Sequence, residues 1–217
     1  MRITANMAIL ALAAIPCFPK ERQDAKRSLT VYVDSRAAVP DESLSDAEFL
    51  ASRIFEQAGV FVRWRRGQSK GHDMEQAITV AIITNTPQKF HPGALAYAEV
   101  YLGQFKDAHI RIFFDRVESS ATVLPLSSPF ARKLVPSLLG HVLVHEITHI
   151  LQGIHHHSDE GVMKGHWTTE NLFQMSYRPL PFDPLDVELI QRGLANRDRA
   201  TSARFGNRSV AELAAAE

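Results

Sequence analysis

Two histidines frame a glutamate in the stretch His145-Glu146-Ile147-Thr148-His149, and three more stand in a row at His155, His156 and His157. Residues four apart lie on one face of a helix. His145 and His149 are therefore spaced to aim two imidazole nitrogens at one ion. Glu146, beside the first of them, can reach water next to that ion without ligating it. The donor set suits a single Zn2+, which lowers the pKa of bound water towards about 7 and lets a nearby carboxylate act as general base. Attack then falls on a carbonyl polarised by the same ion, and peptide hydrolysis is the natural reaction.

Five positions alone are a weak signal. The plainer alternative is an amphipathic helix that carries two histidines on its wet face. Two features oppose it. The flanks Leu143, Ile147, Ile150 and Leu151 are apolar, as in a helix packed into a core. Gly153 follows the motif and permits the left-handed turn that ends many helices. Such a turn can return one of His155, His156 or His157 to the same ion. From the spacing alone, all three remain open as the third ligand.

The elements that must hold these residues are legible in outline. Leu29–Val33 alternates and is β-branched, as a strand should be. Ala47, Leu50, Ile54 and Ala58 recur at helical spacing and Gly59 ends the run, which predicts an amphipathic helix. Val60–Arg65 reads as a second strand and Ala77–Thr84 as a buried one. Ala94–Leu102 and His109–Val117 are further strand candidates. A Ser- and Pro-rich loop leads to about Pro129. The motif helix then starts at Pro129 or Pro136, since proline is accepted in a first helical turn, and ends near Gln152. After Gly153 the chain reads as irregular until Asp183-Pro184, a cap and first helical position for a final helix. The tail beyond Arg199 is rich in Ala and charge and is expected to fray. The order predicts an α+β domain, a sheet backed by two long helices, one of which carries the motif.

Composition narrows the function classes. The 217 residues are 45% hydrophobic, and Lys+Arg and Asp+Glu both number 24. Zero net charge gives no electrostatic reason to expect nucleic acid or an anionic membrane as partner. Cys17 is the single cysteine, which excludes an intrachain disulfide and a Cys-rich zinc site. The apolar run Met7–Ile15 is too short to span a bilayer but suits a secretory signal. The expected division is a leader over 1–27, one domain over 28–199 and a tail over 200–217. The expected location is secreted or periplasmic, without stable membrane insertion.

With these elements in place, the chain resembles the metzincin clan of zinc metallopeptidases, whose pattern is H-E-x-x-H-x-x-G-x-x-H followed by a methionine turn. It is more similar still to uncharacterised predicted bacterial metallopeptidases. The residues that carry this likeness are His145-Glu146-Ile147, His149, Leu151, Gly153, His157-Ser158, Gly161-Val162-Met163 and Trp167. The resemblance covers about Leu29 to Arg197. It implies a mixed sheet, one catalytic zinc, a peptide or protein substrate, Glu146 as catalytic base and Met163 as an apolar floor beneath the ion. The clan's glycine position is Gln152 here, one residue before Gly153. The clan's spacing from His145 gives His155 as third ligand, whereas counting from Gly153 gives His156. The His-Ser pair gives His157, and a helix one residue longer delays the ligand, so His145, His149 and His157 are the expected set. Met175 is the rival methionine, and Tyr177 a candidate hydrogen-bond donor. His141 reads as a packed or surface residue, since a catalytic zinc keeps one position open. His166 and Trp167 read as wall residues. Two other readings stand beside this one. A downstream Glu170 or Glu188 could supply the third ligand, as in gluzincins, or the site could bind zinc without catalysis. An intact Glu146 argues against the latter, because a structural site does not need it.

Overall fold

Leu29, Val31 and Val33 alternate with more exposed neighbours, and strand β1 (Arg27–Ser35) puts all three on one buried face. The computed structural model describes residues 27–69, 77–84, 86, 93–99, 108–122 and 131–214. The expected leader, its apolar run and Cys17 lie outside the described residues, except for Arg27, which opens β1. β1 lies between β2 (Val60–Arg66) and β3 (Ala77–Ile83) and is parallel to both, with Val31 opposite Trp64 on one side and Ile78 on the other. β3 runs parallel to β5 (His109–Phe113), and short β4 (Ala96–Ala98) pairs antiparallel with β5 at the edge. The order is β2-β1-β3-β5-β4, a mixed five-stranded sheet.

A parallel pair needs a crossover, and helix α1 (Asp41–Gln57) supplies it between β1 and β2. Leu44, Ala47, Ala51, Ile54 and Phe55 form its buried stripe. Helix α3 (Ala131–Gln152) carries the motif and packs against α1, β4 and β5. It begins on the Pro129 side of the two expected starts, so Pro136 lies inside it. That proline has no N–H for the carbonyl four residues earlier. By length and composition α3 could cross a membrane, yet its most apolar 18-residue stretch is 83% buried within the protein. It is the core helix of an α+β fold, in which two long helices back the sheet as expected.

Four stretches differ from the sequence reading. The strand expected over His109–Val117 stops at Phe113, and helix α2 (Phe114–Ala121) follows at once. Phe113 and Phe114 are both buried, so the apolar run hides a change of period from two to 3.6. The strand expected over Ala94–Leu102 is paired only at Ala96–Ala98, and 100–102 lie outside the described residues. The stretch after Gly153 holds a short helix, α4 (Thr169–Met175). Thr168 and Asn171 exchange the hydrogen bonds of a capping box there. The final helix, α5 (Pro184–Ala214), starts where expected but runs on past Arg199, where fraying was expected.

Candidate metal centre

α3 gives the site its rigid half. Its near-continuous apolar flanks bury it, which fixes the direction of His145 and His149, one turn apart. Their rings stand at 82° with centroids 4.8 Å apart, and the two Nε2 atoms are separated by 3.1 Å. Two nitrogens bound tetrahedrally to zinc at about 2.0–2.1 Å lie roughly 3.3 Å apart, so this pair already has the spacing of two ligands. Nδ1 of His145 lies 2.9 Å from the Val162 carbonyl oxygen. That oxygen only accepts, so Nδ1 carries the proton and Nε2 keeps its lone pair for an ion.

The chain then turns at Gly153, whose φ of 70° is in the left-handed region. The Gly153 amide donates to the His149 carbonyl and closes the helix. The returning segment brings His157 to within 5.2 Å of the His145 ring centroid and 5.0 Å of that of His149. One donor atom from each of His145, His149 and His157 lies within 4.8 Å of the other two. His155 is exposed, with its ring tilted 5.7 Å from His149, and it is not part of this group. His156 turns the other way, with Nε2 3.7 Å from Oδ1 of Asp186 and 3.5 Å from Oγ of Ser158. Of the three consecutive histidines, the third is thus the one that joins the cluster. Neither glutamate of the gluzincin-like reading joins it. Glu188 is exposed on α5 and pairs with Arg192, and Glu170 is exposed in the first turn of α4.

The segment after His157 is tied at both ends. The Ser158 amide donates to the Met163 carbonyl, and the Val162 amide donates to the Pro181 carbonyl. Gly161, with φ of 76°, lies against that same Pro181 oxygen, leaving no room for a side chain. Met163 is fully buried in the turn, as is Val162, whose carbonyl holds His145. Met175 is also buried, at the end of α4, where its carbonyl accepts from Ser137. Asp186, on α5, ties the segment from below. Its Oδ1 accepts from the Ser158 hydroxyl at 2.8 Å, and its Oδ2 accepts from the Asp183 amide at 3.1 Å. Sequence reasoning missed Asp186. The only local signal is its place three residues after the helix-capping Asp183, the spacing of a capping box.

Burial sets the electrostatics. It pulls the pKa of His145 down to about 4 and that of His149 to about 3, with the neighbouring cluster rings adding to the second. His157 is lowered too, first by burial and then by His156 and His155. All three are held neutral near pH 7, the state that ligates a metal. Glu146 is buried beside them, and burial pushes its carboxyl up to about 8 against a hydrogen bond from the Ala98 backbone on β4. A cation among the three rings would favour the ionised carboxylate and oppose that rise. Three neutral imidazoles grouped in this way are a donor set that could hold a metal ion.

These groups floor a cleft of about 330 Å³. Residues 93–98 line it, and so does the segment Lys164, Gly165, His166 and Trp167. A side chain on Gly165 would meet Nδ1 of His157 at 3.1 Å, so this segment packs directly on the third ring. Trp167 stands edge-on to His145, with centroids 5.5 Å apart. His141 lies outside the cluster and is fully buried. Its Nε2 accepts from the Leu180 amide at 2.9 Å, so Nδ1 carries the proton towards the Ser137 carbonyl at 2.7 Å. Tyr177 is exposed, packs on Phe173 and does not line the cleft.

Neither a protein-family model nor a curated protein matches the chain. Among solved structures, the chain is similar to archaemetzincin from Methanopyrus kandleri at 16% identity. The match covers 79% of this chain and 98% of that one, with a TM-score of 0.46.

Proposed function

We propose that the protein is a zinc-dependent metalloendopeptidase of metzincin type, with His145, His149 and His157 holding the ion and Glu146 as general base. The observation that carries the proposal is the convergence of the three histidines beside a buried glutamate in an open cleft. Zinc, when bound, supplies a Lewis acid that acidifies water and polarises a carbonyl. Glu146 takes the proton of the attacking water and returns it to the leaving amine. Val162 fixes the tautomer of His145 through its carbonyl. Met163 supplies a soft apolar floor. The cleft lined by residues 93–98 and Lys164–Trp167 is where a peptide or protein substrate would bind.

Metal analysis and cleavage of fluorogenic peptides test the reading together. The purified protein is expected to hold one zinc, lost in His145→Ala. Glu146→Gln is expected to keep zinc and to lose about two to four orders of magnitude in hydrolysis. Full zinc retention in His145→Ala, or unchanged hydrolysis in Glu146→Gln, overturns it. Export to a secreted or periplasmic location belongs to the proposal and rests on the run Met7–Ile15. A mature N-terminus that still contains that run would refute it.

A further inference from the structure

Among the described residues that line the cleft, Glu146 and Lys164 are the only Asp, Glu, Lys or Arg. Glu146 faces the histidines as the base of the proposed reaction. Lys164 is half-buried and also lines the cleft, and its ammonium makes no ion pair or hydrogen bond among the described residues. The nearest acids along its turn, Asp159 and Glu160, are exposed and pair with nothing there. The Lys164 backbone is nonetheless fixed. Residue 164 bridges to Ser158, and its amide reaches the Gly161 carbonyl at 3.4 Å. His155 and His166, which also line the cleft, are imidazoles and add no negative charge.

We infer that Lys164 is a specificity-determining residue that receives a substrate carboxylate next to the scissile bond. The position follows from its neighbour. Gly165 packs on the His157 ring, so the base of the Lys164 side chain is one residue from the proposed third ligand. A bound carboxylate therefore lies within a residue or two of the carbonyl under attack. A lysine ammonium is a point charge on a flexible stem, without the planar fork of arginine. It accepts the carboxylate of an aspartate, a glutamate or a free C-terminus alike.

The inference rests on the peptidase reading for its location, so the experiment separates the two. One arm measures kcat/KM on matched peptides with an acidic, neutral or basic residue at each position within three of the cleaved bond. A parallel set has free or amidated C-termini two or three residues beyond that bond. The wild type is expected to favour the carboxylate-bearing member by about 10- to 100-fold, the range for a hydrogen bond to a charged group. That ratio falls towards one in Lys164→Ala and inverts towards basic peptides in Lys164→Glu. Preference for an internal acid marks side-chain recognition, and preference for a free terminus marks terminal recognition; both support the inference. The second arm measures binding of the same peptides to zinc-loaded Glu146→Gln, with and without Lys164→Glu. If no peptide is cleaved but acidic peptides bind through Lys164, the peptidase reading and the location beside a scissile bond fail, and carboxylate recognition by Lys164 stands. Cleavage or binding indifferent to peptide charge, or a profile unmoved by Lys164→Glu in protein with wild-type circular dichroism, overturns it.

Discussion

Replacing Asp186 by alanine should damage the metal centre without touching a ligand. Asp186 has no exposed surface, and its two oxygens accept one hydrogen bond each, from the Ser158 hydroxyl and from the amide that opens α5. A hydrogen bond to a charged group contributes about 1.5–3 kcal/mol. Loss of a helix-capping contact costs about 0.5–2 kcal/mol. The two share one carboxylate and are not additive, and removal also relieves the desolvation of that charge. We therefore expect about 2–4 kcal/mol of destabilisation in urea unfolding of the metal-free protein. Ser158 adjoins His157, so the loss should also loosen the third ring. Outer partners of metal ligands are worth about 10- to 100-fold in affinity, and zinc competition with a chelator should show a weakening in that range. Asp186→Asn keeps the volume and one acceptor and should cost roughly half as much stability. If Asp186→Ala unfolds within about 0.5 kcal/mol of wild type and binds zinc equally well, the Ser158–Asp186 tie does not hold the segment, and the reasoning is refuted.

The other predictions concern the histidines. Burial lowers the pKa of His141 from 6.5 to about 4 in the folded chain. The unfolded chain binds the proton first as the pH falls, so stability rises with pH between about 4 and 6.5 and is lost as the pH drops through that window. The shift corresponds to about 3 kcal/mol, and urea titrations at pH 7 and pH 4 should show that part of the slope vanish in a His141→Asn variant; an unchanged slope would assign it to other groups. His157→Ala should weaken zinc by more than about 100-fold, beyond the range for an outer partner, whereas His155→Ala and His156→Ala should stay within a few-fold. Equal losses for His155→Ala and His157→Ala would return the third ligand to the spacing counted from His145.

Much of this arrangement is legible in the sequence because the signals are local. β1, α1, β2 and β3 each carry an uninterrupted period and end at Gly, Pro or polar residues, and their observed bounds follow those marks. The histidine motif is local too, since an i, i+4 pair on a helix needs nothing but the helix. What escaped is either brief or distant. α4 has seven residues, about two turns, too few for a period to stand out, and its Thr168-x-x-Asn171 box uses Asn where Glu or Gln is the common signal. The β5–α2 junction hides inside one apolar run because both Phe113 and Phe114 are buried. Asp186 acts on Ser158 across 28 residues, and no spacing rule connects them.

The run of three histidines gives the proposed centre a latitude of register that its other half lacks. His145, Glu146 and His149 share one buried helix, where adding a residue would rotate everything beyond it by about 100° and scatter the set. The segment from Gly153 to Ser158 is not helical, and its backbone is tied at its two ends, by the glycine turn and by the Ser158 hydrogen bonds. Insert one residue after Gly153 and hold the upstream end, and His156 moves into the place of His157; insert two, and His155 does. Hold the downstream end instead, and His157 stays where it is. In either case an imidazole reaches the ion. Lengthening the chain at this point is therefore a change that the metal chemistry can absorb, and the reach of the cleft rim beside it can vary while the centre stays intact.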